Sequence, residues 1–359
     1  MSTLPLPIPD TAGTFNVTVQ PSGRTFSVNA GEAILAAAIR QGIGLPYGCK
    51  DGACGSCKCK KTEGTVTQGP HQVKALSPDE AANGFILTCC GMAHSDVVIE
   101  SRQVTDESAF PVKRMPARVA SLTRATHDVM LMRLQLPASD VFRYHAGQYV
   151  EALLRDGDRR AYSMGNAPYT QLENPGLELH LRHTPGGKFT DHVFGAMKEK
   201  EIVRIEGPFG SFYLREDSPK PIIFLASGTG FAPIKAMIEH LKFKASARPA
   251  VLYWGGRRPA DLYMNDWVQA RLAEMPNLRY VPVISEALPE DAWTGRTGFV
   301  HKAVLEDLAD LSGHQVYACG APIVVDSAQA AYIAAGLPAE EFFADSFVTE
   351  KDKAEATVS

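Results

Sequence analysis

No uninterrupted apolar run in this chain approaches the roughly 20 residues that a bilayer-spanning helix requires, so no transmembrane helix is expected. Positive charge is not in excess. Lys and Arg number 36 against 40 Asp and Glu, and the net charge of −4 offers nothing to a nucleic-acid backbone. The opening residues, MSTLPLPIPD, lack both a basic start and a long apolar core, so no secretory signal is read there. Cysteine is sparse, at seven residues, and odd in number; its clustering suits a reducing cytoplasm rather than a disulfide framework. The 45% hydrophobic and 21% charged content excludes a disordered chain, and 359 residues suffice for two or three domains with separate cores.

Four of the seven cysteines carry the first chemical signal. GCKDGACGSC places Cys49, Cys54 and Cys57 in one loop, and Cys89 follows Leu87-Thr88. C-x4-C-x2-C with a distant fourth cysteine is the plant-type ligand pattern of a [2Fe-2S] cluster. A structural zinc site is the alternative, but zinc sites usually present two short ligand pairs rather than three ligands in one loop. Gly48, Gly52, Gly55 and Ser56 keep the loop small enough for backbone N–H groups to reach cluster sulfurs. Cys90 could stand in for Cys89, although the resemblance to plant-type ferredoxins, which place the fourth ligand after a Leu-Thr pair, implies Cys89. Cys59 and Cys90 otherwise read as small buried residues.

Residues 14–101 read as one small unit. Strands at 14–19 and 25–28 flank the turn Pro21-Ser22-Gly23, a helix spans 33–41, and strands lie near 64–67 and 97–100. The stretch 101–116, with two prolines and mixed charge, reads as a linker. Short alternating runs at 118–122, 129–136, 149–154, 177–182 and 202–206 predict an antiparallel barrel. After Pro219 the pattern changes. PIIFLAS and VLYWGG are buried strands, with further strands at 278–284 and 315–318 and helices at 233–241, 266–274 and 325–335, which predicts a parallel α/β domain. Residues 351–359 read as a frayed end.

Within the barrel region, Arg160-Ala161-Tyr162-Ser163 joins a cation, a flat ring and a small hydroxyl. On a strand Arg160 and Tyr162 share a face, where Arg suits a phosphate and Tyr suits a planar heterocycle. Gly186-Gly187-Lys188-Phe189-Thr190 precedes a helix expected over 191–197 and reads with Arg160 as a pyrophosphate clamp, or else as a capped loop. Ser227-Gly228-Thr229-Gly230 follows a buried strand and opens a helix, the setting of a dinucleotide-phosphate loop; Pro233 replaces the third glycine. Cys319-Gly320-Ala321-Pro322 ends another strand at the same sheet edge. Its thiol either borders a nicotinamide or is simply buried.

Taken in order, these motifs resemble the ferredoxin-NADP reductase superfamily, specifically members with an N-terminal plant-type ferredoxin domain. The chain is most similar to CDP-6-deoxy-glucoseen reductases, and next to the reductase components of phenol, benzoate and methane oxygenases. CKDGACGSCK, ILTCC, RAYSMGNAP, EGPFGSFYLRE, FLASGTGFAP, TGFVHKAVLED, VYACGAP and FFADSFV carry the resemblance. It implies three domains: an α+β ferredoxin (β-grasp) domain at 14–105, an antiparallel flavin-binding β-barrel at 114–216, and an α/β parallel-sheet nicotinamide-dinucleotide domain at 217–350.

By that resemblance Arg160 meets the FAD pyrophosphate, Tyr162 stacks on the ring and Ser163 faces flavin N5. Gly186, Gly187 and Thr190 match a second phosphate loop. Gly228, Thr229 and Gly230 match the nicotinamide-dinucleotide loop, and Cys319 and Gly320 flank the nicotinamide. Asp345 and Phe347 match an acidic residue and a terminal aromatic beside the flavin, and Ser163, Cys319 and Asp345 form the catalytic set. Where NADP-dependent relatives carry Ser-Arg, this chain has Ser285-Glu286. Glu286 would repel a 2′-phosphate, which favours NADH, although Arg257 and Arg258 pull the other way. The expected path runs from NADH through FAD to the cluster and on to an acceptor protein, either a sugar dehydrase or an oxygenase component. Lys50, Lys58, Lys60 and Lys61 are candidates for its docking patch, or a solvated face.

Overall fold

The computed structural model describes residues 13–104, 110–138, 141–172, 175–349 and 357–358. The described residues fall into two compact units: those within 110–348 form one, and those before 110 and after 348 the other. No helix among the described residues is long and apolar enough to cross a membrane.

The first unit is a five-stranded sheet in the order Arg24–Asn29, Thr14–Gln20, Val97–Glu100, Lys58–Glu63, Phe85–Leu87. Thr14–Gln20 and Val97–Glu100 run parallel, and the other neighbours run antiparallel. Alternation sets the inner face: Val17, Val19, Phe26, Val28, Val97 and Ile99 are buried. The helix Ile34–Arg40 covers that face with Ile34, Leu35, Ala37 and Ala38. The strand expected over 64–67 forms at Val66–Gln68 and pairs with Gly91–Ala93. At the chain's end, 351–356 and 359 lie outside the described residues, whereas Thr357–Val358 pairs with His71–Gln72.

The second unit begins with six antiparallel strands in the order Arg159–Ser163, Tyr149–Leu153, Ile202–Phe209, Lys113–Arg124, Val129–Gln135, Gly176–Arg182. A bridge between Met164 and Leu179 joins the two edges and closes the barrel. The linker expected over 101–116 needs correction at its end. Lys113 to Pro116 belong to a strand, pairing with Gly207 to Arg204, because Met115, Ala117 and Val119 alternate inward behind the exposed charges and proline. Residues 105–109 of that stretch lie outside the described residues. The helix expected over 191–197 forms earlier, at Lys188–Gly195, with Gly187 as its N-cap.

The rest of this unit is a parallel sheet in the order Arg296–Thr297, Leu278–Ile284, Ala250–Gly256, Ile222–Ser227, Gln315–Gly320, Phe342–Ser346. Ile222–Ser227 is first in sequence yet central in space. The chain builds outward from it to one side and then returns to build on the other. That reversal makes a topological switch point beyond the carboxyl ends of Ile222–Ser227 and Gln315–Gly320, the place where open α/β sheets bind ligands. Helices Phe231–Phe243 and Pro322–Ala334 begin just after these strands. Both faces of the sheet are apolar, with Phe224, Trp254 and Tyr317 in one core and Ile223, Tyr253 and Tyr332 in the other.

Candidate functional site

In the first unit the four expected ligand thiols converge. The backbone N–H of Cys49 donates to Cys54 Sγ and that of Cys54 to Cys49 Sγ, each at 3.3 Å. Cys89 makes thiol contacts with both Cys49 and Cys57. Crowding splits their acidities: hydrogen bonds from Cys54 and then Cys89 push the Cys49 thiol far down, while contact with Cys49 followed by burial pushes Cys54 up. Cys57 is tied to the Cys89 turn, since its carbonyl accepts from both the N–H and the hydroxyl of Thr88. Gly52 has φ +75°, and a Cβ there would stand 2.9 Å from His71 Cβ and 3.1 Å from Cys90 Sγ.

Among the described residues no three His, Cys, Asp or Glu side chains converge on a point suited to one metal ion. A two-iron cluster asks for something else, four thiolates shared between two irons, and the paired thiols fit that demand. Cys90 sits 3.8 Å from Cys89 Sγ and accepts from Gln68 Nε2 at 3.0 Å. Cys59 is buried, which pushes its thiol up to about 12. Of the four lysines, Lys58 pairs with Glu80 at 2.6 Å, Lys60 lies over the Phe85 ring and Lys61 donates to the Gly64 carbonyl.

The barrel and the parallel sheet bring together residues far apart in sequence. Arg159–Ser163 ends with Ser163 buried, and its hydroxyl donates to Asp345 Oδ2 at 3.4 Å. Asp345 pairs across the sheet with Cys319, and Gly320 with Ser346. Burial, and then the Asp345 carboxylate, push the Cys319 thiol well up, so it is a neutral, small, apolar wall. The Phe347 N–H donates to the Gly320 carbonyl at 2.8 Å, which brings the aromatic to the same edge.

The glycine loops meet at the switch point. Gly228, Thr229 and Gly230 form a buried 3-10 turn, and Trp254 Nε1 donates to the Gly228 carbonyl at 3.1 Å. Gly320 has φ +132°, and a Cβ there would lie 2.4 Å from the Ser227 carbonyl oxygen. No residue but glycine fits this approach.

Arg160 and the second glycine loop are also neighbours. Asp158 Oδ2 accepts from Arg160 Nη2 at 3.4 Å and from Lys188 Nζ at 2.8 Å, while Asp156 pairs with the same lysine at 2.6 Å. Tyr162 packs its ring on Phe189, centroids 5.5 Å apart. Gly186 N–H donates to Asp191 Oδ2 at 3.1 Å. The Thr190 hydroxyl is engaged within the loop, accepting from the Thr184 N–H and donating to its carbonyl. Sequence reading passed over Arg182, whose Nε and Nη2 are buried without hydrogen-bond partners and whose Nη1 would lie 3.0 Å from a Cβ on Gly228. Its Nε lies 3.3 Å from Asp128 Oδ2, an ion pair by distance but without hydrogen-bond alignment. Uncommitted donors beside a glycine loop fit a phosphate-bearing ligand.

Beyond the carboxyl end of Leu278–Ile284, two strands from Ile222–Ser227, Glu286 is exposed and its N–H donates to the Arg257 carbonyl at 2.9 Å. Arg258 is held by Asp291 through two bonds of 2.7 Å and lies 3.5 Å from Glu290. Arg257 is 60% exposed and 3.7 Å from Asp261.

Family comparison agrees with this architecture. Residues 17–94 match the 2Fe-2S iron-sulfur cluster binding domain, 116–213 the oxidoreductase FAD-binding domain and 224–330 the oxidoreductase NAD-binding domain. The chain is 40% identical over 339 residues to the CDP-6-deoxy-L-threo-D-glycero-4-hexulose-3-dehydrase reductase of Yersinia pseudotuberculosis, covering 94% of this chain and 99% of that relative. It is 36% identical over 333 residues to reductase component 1 of the terephthalate 1,2-dioxygenase of Comamonas sp., covering 92% and 96%. Among solved structures, the Amycolatopsis cytochrome P450 reductase GcoB superposes with a TM-score of 0.75 at 30% identity, covering 93% and 98%. The chain therefore belongs to the ferredoxin-reductase-like oxidoreductases that join a [2Fe-2S] domain, an FAD-binding barrel and an NAD-binding domain.

Proposed function

We propose that this reductase draws on NADH and delivers single electrons through its cluster to a separate acceptor protein, with a dehydrase of a CDP-linked 6-deoxyhexulose as that acceptor. The contact of Ser163 with Asp345, beside Cys319 and the Gly228–Gly230 turn, is the observation that carries the reading. When bound, the nicotinamide would supply hydride, the flavin the change from two-electron to one-electron transfer, and the cluster the one-electron outlet.

The chain's own residues supply the rest. Arg160 would hold the flavin pyrophosphate with Gly186, Gly187 and Thr190 opposite, and Tyr162 would pack against the ring. Ser163 keeps a proton on Oγ, oriented by Asp345. Cys319 and Phe347 exclude water from the same edge. Cys49, Cys54, Cys57 and Cys89 would hold the cluster. Glu286, exposed at the edge where a ribose would lie, disfavours a 2′-phosphate, and the engagement of Arg258 by Asp291 leaves that repulsion less opposed. We place the domains at 14–105, 114–216 and 217–350; the three family matches fall within these bounds. The unbridged state of all seven cysteines supports a reducing, cytoplasmic setting.

The 40% identity to a hexulose-dehydrase reductase supports the dehydrase as acceptor. The 36% identity to a dioxygenase reductase component supports an oxygenase as the second reading. Mixing the purified protein and NADH with each acceptor separates the two. For the path itself, Cys54→Ser should remove the cluster's visible absorbance and lower NADH-driven cytochrome c reduction on the order of 100-fold, with flavin reduction retained. Undiminished cytochrome c reduction by the cluster-free variant would show that electrons leave by another port.

A further inference from the structure

A buried charged network ties the barrel to the parallel sheet, and none of the roles assigned above uses it. Lys235 is 3% exposed and lies on the helix Phe231–Phe243 that the Gly228–Gly230 turn leads into. Its Nζ donates to the Gly165 carbonyl at 3.0 Å and to Glu239 Oε1 at 2.6 Å, and lies 3.1 Å from Glu178 Oε1. An ammonium has three protons, and here it meets three acceptors. Glu239, one turn along the helix, uses Oε2 to accept from the Ala167 N–H at 2.9 Å. Glu178 also meets His180 Nε2 at 2.9 Å and Arg133 Nη1 at 3.4 Å, and His180 Nδ1 lies 2.7 Å from the Tyr263 hydroxyl. The charges of Lys235 and Arg133 balance those of Glu178 and Glu239.

The grip falls on a short segment. Gly165 and Ala167 follow Ser163 by two and four positions, and Gly165 is tied on its other side by its N–H to the Glu178 carbonyl at 2.7 Å. One helix therefore holds the Gly228–Gly230 turn at its start and the segment after Ser163 along its flank. Cohesion alone does not call for this arrangement, because the desolvation of buried ions offsets much of their attraction and apolar packing serves as well. Directional bonds to two backbone groups add registry instead.

We propose that Lys235 and Glu239 are positioning residues for hydride transfer, setting the spacing between the strand that ends at Ser163 and the Gly228–Gly230 turn. The inference rests on the reading of Ser163 as the flavin neighbour and of that turn as the nicotinamide loop. Misplacement by about 1 Å can cost on the order of 100-fold in rate, so the effect belongs in the reduction step itself.

The test is anaerobic stopped-flow reduction of the bound flavin by NADH in the whole protein, with NADH affinity, flavin retention and thermal midpoint measured alongside. Lys235→Met should lower the limiting reduction rate about 10- to 100-fold while the NADH dissociation constant stays within about threefold and the flavin stays bound. Glu239→Gln keeps the volume and one acceptor, and should lower the rate several-fold; it decides the matter if Lys235→Met does not fold. A limiting rate within about twofold of the parent, or a loss explained wholly by flavin release, overturns the inference. Failure of the parent protein to be reduced by NADH would overturn the functional reading, and this inference with it. A normal parent with unaffected variants overturns this inference alone.

Discussion

The cluster loop and the junction around Ser163 bring reactive groups together by opposite routes. In the loop, Cys49, Cys54 and Cys57 come from one short turn and are braced by the neighbouring backbone, with Cys89 added through Thr88. At the junction, Ser163 and Asp345 meet from positions 182 residues apart, one at the end of a barrel strand and the other on an edge strand of the parallel sheet. The loop depends on local backbone conformation. The junction depends on strand order, on a closed barrel and on the side chains that hold one to the other. Damage to the loop should therefore stay local, whereas the junction should respond to changes made well away from it.

Paired glycine substitutions give the largest expected effects. Gly320→Ala places a methyl 2.4 Å from the Ser227 carbonyl at φ +132°, so the strand and the Gly228–Gly230 turn must separate. NADH-driven flavin reduction should fall by more than about 100-fold, with cluster absorbance intact. Gly52→Ala, at φ +75° and 2.9 Å from His71 Cβ, should do the reverse: poor cluster incorporation with normal flavin reduction. If either variant damages both centres equally, the contrast between a local and an assembled site fails.

Smaller effects are expected at the sheet edge. Glu286→Arg should raise the preference for NADPH over NADH about tenfold in kcat/KM, because an exposed repulsion becomes an attraction to a 2′-phosphate. An unchanged ratio would remove Glu286 from cofactor selection.

The smallest effect is on acid stability. Burial raises the Glu178 carboxyl, but the His180 hydrogen bond and the charge of Lys235 outweigh it and lower the pKa to about 2. A carboxyl lowered on folding contributes stability that is fully present above its usual value near 4.5 and is lost as pH falls toward 2. Glu178→Gln should therefore flatten the decline of the thermal midpoint of residues 110–348 between those pH values. A decline as steep as in the parent would place the acid sensitivity elsewhere.

Much of this organisation was legible from residue order. Cysteine spacing pointed to the cluster loop because its ligands are close in the chain, and SGTG and CGAP pointed to a sheet edge because each follows an apolar strand. Lys113 to Pro116 were misread as linker because mixed charge and proline masked the inward alternation of Met115, Ala117 and Val119. Arg160 and the loop 186–190 were read together as a clamp, but Asp158, which bonds both Arg160 and Lys188 of that loop, and Asp156, which pairs with Lys188, were not singled out. Lys235 left a faint signal: a lone lysine amid the apolar run FAPIKAMI, where a buried charge needs partners that the sequence does not name.

Strand periodicity and motif spacing were enough to divide the chain into a small cysteine-bearing unit, an antiparallel barrel and a parallel α/β region, since those features are set by residues near one another in the chain. The flavin and nicotinamide came from the family resemblance. The meeting of Ser163 with Asp345, the facing of Gly320 and Ser227, and the three acceptors around Lys235 became visible only in the folded chain. Contacts of that kind depend on which strands lie side by side and how closely they pack, and no local pattern of residues encodes either.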